Sequence, residues 1–208
     1  MFDPNLYLLT PLKVPPPQPP PGMTVLEDLF VDTNGTNLTA HTMNIGPGWT
    51  AQAGGTLTIE SNSCQSPSTF VQNLYTSDSG YANTTASVTV SATGAALDIL
   101  GLCLRFADVN NYWTIYAIAN GNVWKFLELG RTETGNSSAV ASVALPSLPT
   151  NVSYMLQIQT SGPNFYASFG GYTLNYTDGF NATDTVCGLF ATDLSQPGIY
   201  NNFKVTTP

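Results

Sequence analysis

The stretch ILGLCLRFADVNNYWTIYAIANGNVWKFLEL, residues Ile99 to Leu129, decides how the rest of the chain is read. It divides into three apolar runs, Leu100 to Ala107, Tyr112 to Ala119 and Val123 to Leu129, separated by Asp108-Val109-Asn110-Asn111 and by Asn120-Gly121. Asn-Gly is the strongest short hairpin signal, because both central residues of a type I′ turn need positive φ. The pattern predicts three consecutive antiparallel strands with a tight turn at Asn120-Gly121. In the middle run Tyr112, Tyr116 and Ile118 face one way, and Trp113, Ile115 and Ala117 the other. A strand that is apolar on both sides belongs in the centre of a sheet.

Working outward, Thr56 to Glu60, Ser87 to Ser91 and Tyr154 to Gln159 alternate apolar and polar residues. Asn164 to Phe169 and Tyr172 to Tyr176 form a pair joined at Gly170-Gly171, and Val186 to Ala191 and Tyr200 to Thr206 close the sheet. Thr132 to Ser138 reads as a polar loop. Short strands punctuated by turn residues about every 8 to 12 positions point to an all-β, two-sheet antiparallel sandwich. No stretch carries the 3.6-residue period of a helix.

Residues 1–23 differ from everything after them, and 24–208 form the expected sandwich. Pro15, Pro16, Pro17, Pro19, Pro20 and Pro21 force an extended polyproline rod that cannot enter a sheet interior. Tyr7, Leu8 and Leu9 precede it as an apolar grip. A compact sandwich gains little from so long an arm, so the expectation is that it anchors the domain to a neighbouring subunit.

Only 9% of the residues are charged, with 5 Lys and Arg against 13 Asp and Glu. A nucleic-acid binder needs a basic face to replace counterions, which these residues cannot build. No apolar run approaches the length of a membrane span. The N-terminal stretch lacks a basic start and a small-residue cleavage site, so export through the usual secretory route is not expected. Cys64, Cys103 and Cys187 have no metal-like spacing. Cys103 and Cys187 sit in apolar strand patterns as small hydrophobes, a bridge between them being the minor alternative.

Four segments together resemble the concanavalin A-like lectin/glucanase superfamily, in particular its laminin G-like jelly rolls. They are LFVDTNGTNLTAHTMNIGPGWT (residues 29–50), GLCLRFADVNNYWTIYAIANGNVWKFLELG (101–130), LPTNVSYMLQIQTSGPNFYASFGG (148–171) and GLFATDLSQPGIYNNFKV (188–205). The resemblance implies a jelly-roll sandwich, which carries sugar binding, hydrolysis or purely structural roles. Such openings and closings are also similar to minor tail and head-surface proteins of tailed bacteriophages. That likeness implies a virion-surface location, with a shell or tail protein, copies of the chain itself and cell-surface or environmental glycans as expected partners. Where the family often ends in Phe-Asp-Asn-Phe, this chain has Tyr200-Asn201-Asn202-Phe203, and the missing carboxylate argues against a calcium site there.

The superfamily's glucanases carry carboxylates at alternate positions of one strand, as a retaining glycosidase requires. Here the nearest pair, Glu128 and Glu133, is five residues apart, an interval that puts the two on opposite faces. His41, the sole histidine, reads as a surface-loop residue, with no nucleophile elbow to complete a triad. One His and three scattered Cys give no zinc spacing, so neither metal nor cofactor is expected. Aromatic side chains are the better candidates, because planar rings stack on the apolar faces of sugars. Among Tyr112, Trp113, Tyr116, Trp124, Tyr166 and Tyr172, the set expected to be exposed and ligand-binding is Tyr112, Tyr116 and Trp124. The expected function is that of a non-catalytic virion decoration or fibre protein with a lectin-like domain. A free carbohydrate-binding module is the alternative, and a glycoside hydrolase the least supported. Seven Asn-x-Ser/Thr triplets, beginning at Asn34, read as polar turns rather than glycan acceptors.

Overall fold

The computed structural model describes residues 19–67, 71–93 and 97–208. The grip Tyr7, Leu8 and Leu9 and the prolines Pro15, Pro16 and Pro17 lie outside these. The described residues form sixteen strands and no helix. In chain order they are β1 (Thr24–Asp28), β2 (Thr36–Asn37), β3 (Thr50–Ala53), β4 (Thr58–Ile59), β5 (Cys64–Ser66), β6 (Asn73–Asp78), β7 (Thr85–Ser91) and β8 (Asp98–Asp108). There follow β9 (Asn111–Ala119), β10 (Val123–Glu133), β11 (Asn136–Pro149), β12 (Tyr154–Ser161), β13 (Asn164–Phe169), β14 (Tyr172–Thr177), β15 (Val186–Thr192) and β16 (Gly198–Thr206).

They make two antiparallel sheets, a jelly-roll sandwich. One has nine strands in the order β14-β13-β12-β7-β16-β5-β4-β2, with β1 also on β16; the other has seven in the order β11-β10-β9-β8-β15-β6-β3. The meander of Ile99 to Leu129 is the heart of the seven-stranded sheet, and its two-sided strand β9 has a partner on each edge. One face of that meander carries Leu100, Leu102, Trp113, Ile115, Ala117, Leu127 and Leu129 into the core between the sheets. The opposite layer supplies Val88, Val90, Leu156, Ile158, Phe165, Phe169, Tyr200 and Phe203. This burial follows directly from the period-2 alternation of the strands.

The outer face of the seven-stranded sheet is also apolar at its centre. Leu74, Cys103, Phe106, Tyr112 and Phe190 form a second buried cluster there, with Ile99, Tyr116 and Val186 packed against it. An outer sheet face normally turns polar, so this second cluster marks the face that needs a functional account.

Two expectations are corrected by the structure, and the reading of the cysteines as buried hydrophobes is met. The β9–β10 turn is shifted by one residue: Gly121 and Asn122 hold the positive φ angles, 68° and 63°, and the Asn120 amide donates to the Val123 carbonyl at 2.9 Å. Thr132 to Ser138 is no loop, since β10 runs through Gly130 to Glu133 and returns through a two-residue turn at Thr134-Gly135. The cysteines are free and buried. Cys103 pairs in register with Gly188, so Cys187 lies one residue out of step and points to the opposite face, which rules out a bridge.

At the other end of the Pro-rich stretch, Pro20 to Met23 is tied to the last strand. The Gly22 amide donates to the Thr207 carbonyl at 3.1 Å, the Thr207 amide to the Met23 carbonyl at 2.9 Å, and the Thr207 hydroxyl to the Pro20 carbonyl at 2.6 Å.

Candidate functional site

The outer face of the seven-stranded sheet holds a hollow of about 210 Å³ lined by Gln72, Tyr112, Thr114, Tyr116, Thr132, Ser137 and Phe190 among others. Tyr112 and Tyr116 project into it because they are two turns of the pleat apart on one strand. Each ring is braced by another: Phe106 and Tyr112 lie 5.9 Å apart, and Tyr116 and Phe190 lie 5.8 Å apart. Their hydroxyls are fixed as well. The Gln72 amide donates to the Tyr112 hydroxyl at 2.9 Å, and the Tyr116 hydroxyl donates to Glu128 at 3.1 Å. The second Glu128 oxygen accepts from Ser142 at 3.1 Å. Burial, reinforced by the charge and hydrogen bond of Glu128, pushes the Tyr116 phenol far above its ordinary range, so it stays a neutral donor.

Gly130 forms part of the floor, and its lack of a side chain is what keeps the hollow open. A Cβ there would come within 2.7 Å of the Thr114 hydroxyl and 3.0 Å of the Tyr116 ring. Thr132 and Ser137 share a 2.7 Å hydroxyl bond across the β10–β11 hairpin. The result is a preorganised surface of aromatic rings, hydroxyls, one amide and Arg131, with no carboxylate among its lining residues.

Trp124, expected beside these tyrosines, is not there. It is fully buried in the main core, edge-on to Phe169 at 5.3 Å. The register between β10 and both its neighbours slips between Trp124 and Phe126, and this bulge at Lys125 reverses the parity that Leu127 and Leu129 set. A one-residue slip moves a side chain to the other face. Tyr112 is also largely covered, 2% exposed, and offers only its rim and hydroxyl to the hollow. Tyr166 stands on β13 in the other sheet, 47% exposed and remote in topology from Tyr116.

Glu128 and Glu133 do face opposite sides. Glu128 joins Tyr116 on the outer face, whereas Glu133 pairs with Arg131 at 3.0 Å. Arg131 in turn reaches Asp178 at 2.9 Å. The two glutamates therefore cannot flank one glycosidic bond.

A larger hollow of about 650 Å³ lies on the same face beyond the Phe106–Tyr112 ring pair, lined by Thr39 to Met43, Gly46 to Thr50, Gln52, Thr76, Asp78, Phe106 and Val186. His41 forms part of its wall, and the expectation of a surface histidine is corrected here. The residue is 7% exposed and held between two carboxylates, Nε2 to Asp28 and Nδ1 to Asp32, both at 2.9 Å. Asp28 has no exposed surface and also accepts from the Trp49 indole at 2.7 Å and the Phe30 amide at 2.7 Å. Burial by itself pulls the imidazole down, but hydrogen bonds and charge from Asp32 and Asp28 overcome it, and the net direction is upward from 6.5. With an acceptor at each ring nitrogen, the imidazolium is the form that satisfies both. Among the described residues no group of three or more His, Cys, Asp or Glu side chains converges as a metal site would. The described residues include no helix long and apolar enough to cross a membrane.

No family model and no curated protein sequence matches the chain. Solved structures do. The CBM2 module of the evolved Dit of Lactobacillus casei BL23 phage J-1 superposes with a TM-score of 0.58 at 11% identity, covering 89% of this chain and 96% of the module. The exoplasmic/lumenal domain of VIP36, in a form bound to Ca²⁺ and Man3GlcNAc, gives 0.55 at 12% identity over 77% of this chain and 86% of that domain. The chain has a concanavalin A-like, lectin-type jelly-roll fold. The same sandwich recurs in a xylan β-1,4-xylosidase from Bacillus halodurans C-125, with a TM-score of 0.60 at 15% identity, where this chain spans 41% of the enzyme. At these identities the likeness concerns the fold.

Proposed function

We propose that this chain is a non-catalytic glycan-recognition module borne on the surface of a virion. The observation that carries the glycan reading is the outer face of the seven-stranded sheet, where Tyr112 and Tyr116 border a hollow edged by Thr114, Thr132, Ser137 and Gln72. A sugar presents apolar C–H faces and a rim of hydroxyls. The Tyr116 ring beside fixed hydroxyl and amide groups matches both features. The adjoining larger hollow extends the same face toward Gln52, Thr76 and Asp78, so the surface suits a chain of several sugars better than one residue.

The reading is supported by the fold, which is shared with the CBM2 module of the phage J-1 Dit and with the VIP36 domain in its Man3GlcNAc-bound form. It is supported further by Glu128 and Glu133 facing apart, so that this pair cannot serve hydrolysis. A glycan array followed by titration tests it. Tyr116→Ala should weaken the best hit about tenfold or more, the loss of one ring contact and one hydroxyl. An array without hits, or a Tyr116→Ala protein that binds as well as wild type, would refute it.

The virion location rests on the arm. Residues 1–22, with Tyr7, Leu8, Leu9 and the prolines Pro15 to Pro21, are read as the segment that fixes the module to a shell or tail protein, leaving the sandwich outward. Removing residues 1–22 should abolish incorporation into particles while leaving a cooperative melting transition. Particles that still carry the truncated chain would overturn the anchoring role without touching the glycan reading.

A further inference from the structure

Each sheet must end somewhere, and the edges of this sandwich are unequal; the five-residue β1, paired with β16 off the main path, is one of them. The nine-stranded sheet ends in β14, six residues long, and β2, two residues long. The seven-stranded sheet ends at one side in β3, a four-residue strand broken by a bulge between Ala51 and Ala53. At its other side it ends in β11, fourteen residues long, whose only strand partner among the described residues is β10. A long edge strand offers a row of unpaired amides and carbonyls, and proteins ordinarily blunt it with lysine, proline, a bulge or brevity. From Asn136 to Leu145 this strand, NSSAVASVAL, contains no charged residue and no proline, and its one irregularity is a bulge at Val140, where the register with β10 shifts between Leu129 and Gly130.

We propose that β11 pairs antiparallel with β11 of a second copy about a two-fold axis, joining two seven-stranded sheets into one continuous sheet. Charge selects the occupant. The chain carries a formal net charge of −8, so two copies repel each other over most of their surface. Asn136 to Pro149 has no charge to contribute to that repulsion. Antiparallel pairing of a strand with itself is isologous, so one surface serves both partners. Serine, alanine and valine face serine, alanine and valine, without bulk to hold the backbones apart. Val140, Ala141 and Val143 pack on the core yet keep part of their surface open at this edge, and a second copy would cover it.

The size follows from strand geometry. Ten residues at about 3.4 Å each extend about 34 Å, and an edge about 15 Å deep then buries about 1,000 Å² over both copies, the lower limit of a specific interface. The dimer is therefore expected to be reversible and dependent on concentration. The pairing stands independently of the glycan reading, but it bears on it. Ser137, Ser138 and Ala139 at the start of β11 line the smaller hollow. Pairing would set two such hollows on one face of the joined sheet, where a branched or repeating ligand gains avidity from binding both.

Sedimentation of the full chain over a concentration series, with amide hydrogen exchange at its two extremes, tests the proposal. The expected result is a monomer–dimer equilibrium in which Asn136 to Leu145 gains protection as concentration rises. Ala139 and Ala144 are both exposed, so the double substitution Ala139→Lys with Ala144→Lys should leave the melting temperature nearly unchanged. It should weaken the dimer about tenfold or more, because like charges then stand opposite across the two-fold. A wild-type chain that stays monomeric at its highest soluble concentration overturns the proposal. So does a dimer in which β11 amides exchange at the same rate at every concentration. If the double variant does not fold, the exchange result on the wild type decides alone.

Discussion

Replacing His41 by alanine probes a buried charge network centred on Asp28. Asp28 has no exposed surface, and in the variant it keeps two donors, the Phe30 amide and the Trp49 indole, while losing the imidazole. Breaking a buried ion pair costs about 3–5 kcal/mol; the two surviving donors place the expected loss near the lower end, about 3 kcal/mol. For a domain of this size that is a fall in melting temperature of about 6–12 °C. The pH dependence follows from the raised imidazole. Its stabilisation is fully present below the ordinary value of 6.5 and is lost as pH rises through the higher folded-state value. Asp32 works in the other direction. The His41 hydrogen bond holds its carboxyl below 3.8, so its contribution is present above that value and is lost as pH falls through the lowered one. The clamp is thus most effective between about pH 4 and 6.5. Urea denaturation followed by tryptophan emission at about pH 5 and about pH 9 measures this. Wild type should lose stability at the alkaline pH, and His41→Ala should show a much flatter dependence. A variant as stable as wild type at the lower pH, or one that loses as much between the two, refutes the reasoning.

Trp124→Ala should cost about 3–5 kcal/mol, since a fully buried indole is removed; Trp124→Phe should cost far less, because the indole N–H has no partner to lose, and thermal denaturation of both variants checks the order. Burial pushes the Cys64 and Cys103 thiols well up, and Cys187 to about 12, so a thiol reagent at neutral pH should label none of them in the native protein and all three after unfolding. Asn122→Ala should destabilise by about 1 kcal/mol at a φ of 63°, whereas Asn122→Gly should be close to neutral in the same melting assay.

The sandwich was legible because burial in a strand repeats every second residue, and Trp113, Ile115 and Ala117 against Tyr112 and Tyr116 displayed that repeat twice over. Alternation alone also assigned Tyr112 and Tyr116 to a common face. It failed at Trp124 because the bulge at Lys125 has no sequence mark: a lysine between two aromatics is equally at home in an unbroken strand. His41 was misplaced for a different reason. Its neighbours Thr39, Ala40 and Thr42 are those of a surface loop, and its partners Asp28 and Asp32 come from thirteen and nine residues upstream. One signal was available, a lone histidine following two aspartates in a chain with 9% charged residues, but nothing local showed that the loop folds back. The hollow itself was not legible, since Gln72, Phe190 and Ser137 reach it from three separate strand regions.

The knot between Pro20 to Met23 and Thr207 has a mechanical consequence. Because β1 and β16 are antiparallel, with Thr24 opposite Thr206, both ends of the sandwich leave from the same corner. Tension between those two ends would open the β1–β16 ladder like a zipper, loading one hydrogen bond at a time. Tension directed along β1, from its N-terminal end against the rest of its sheet, meets a different geometry. It drags β1 along its own axis past β16, so the rungs of the ladder, which lie perpendicular to the strands, share the load together. The same ladder is therefore weak to a pull that parts its two ends and strong to one that runs along β1.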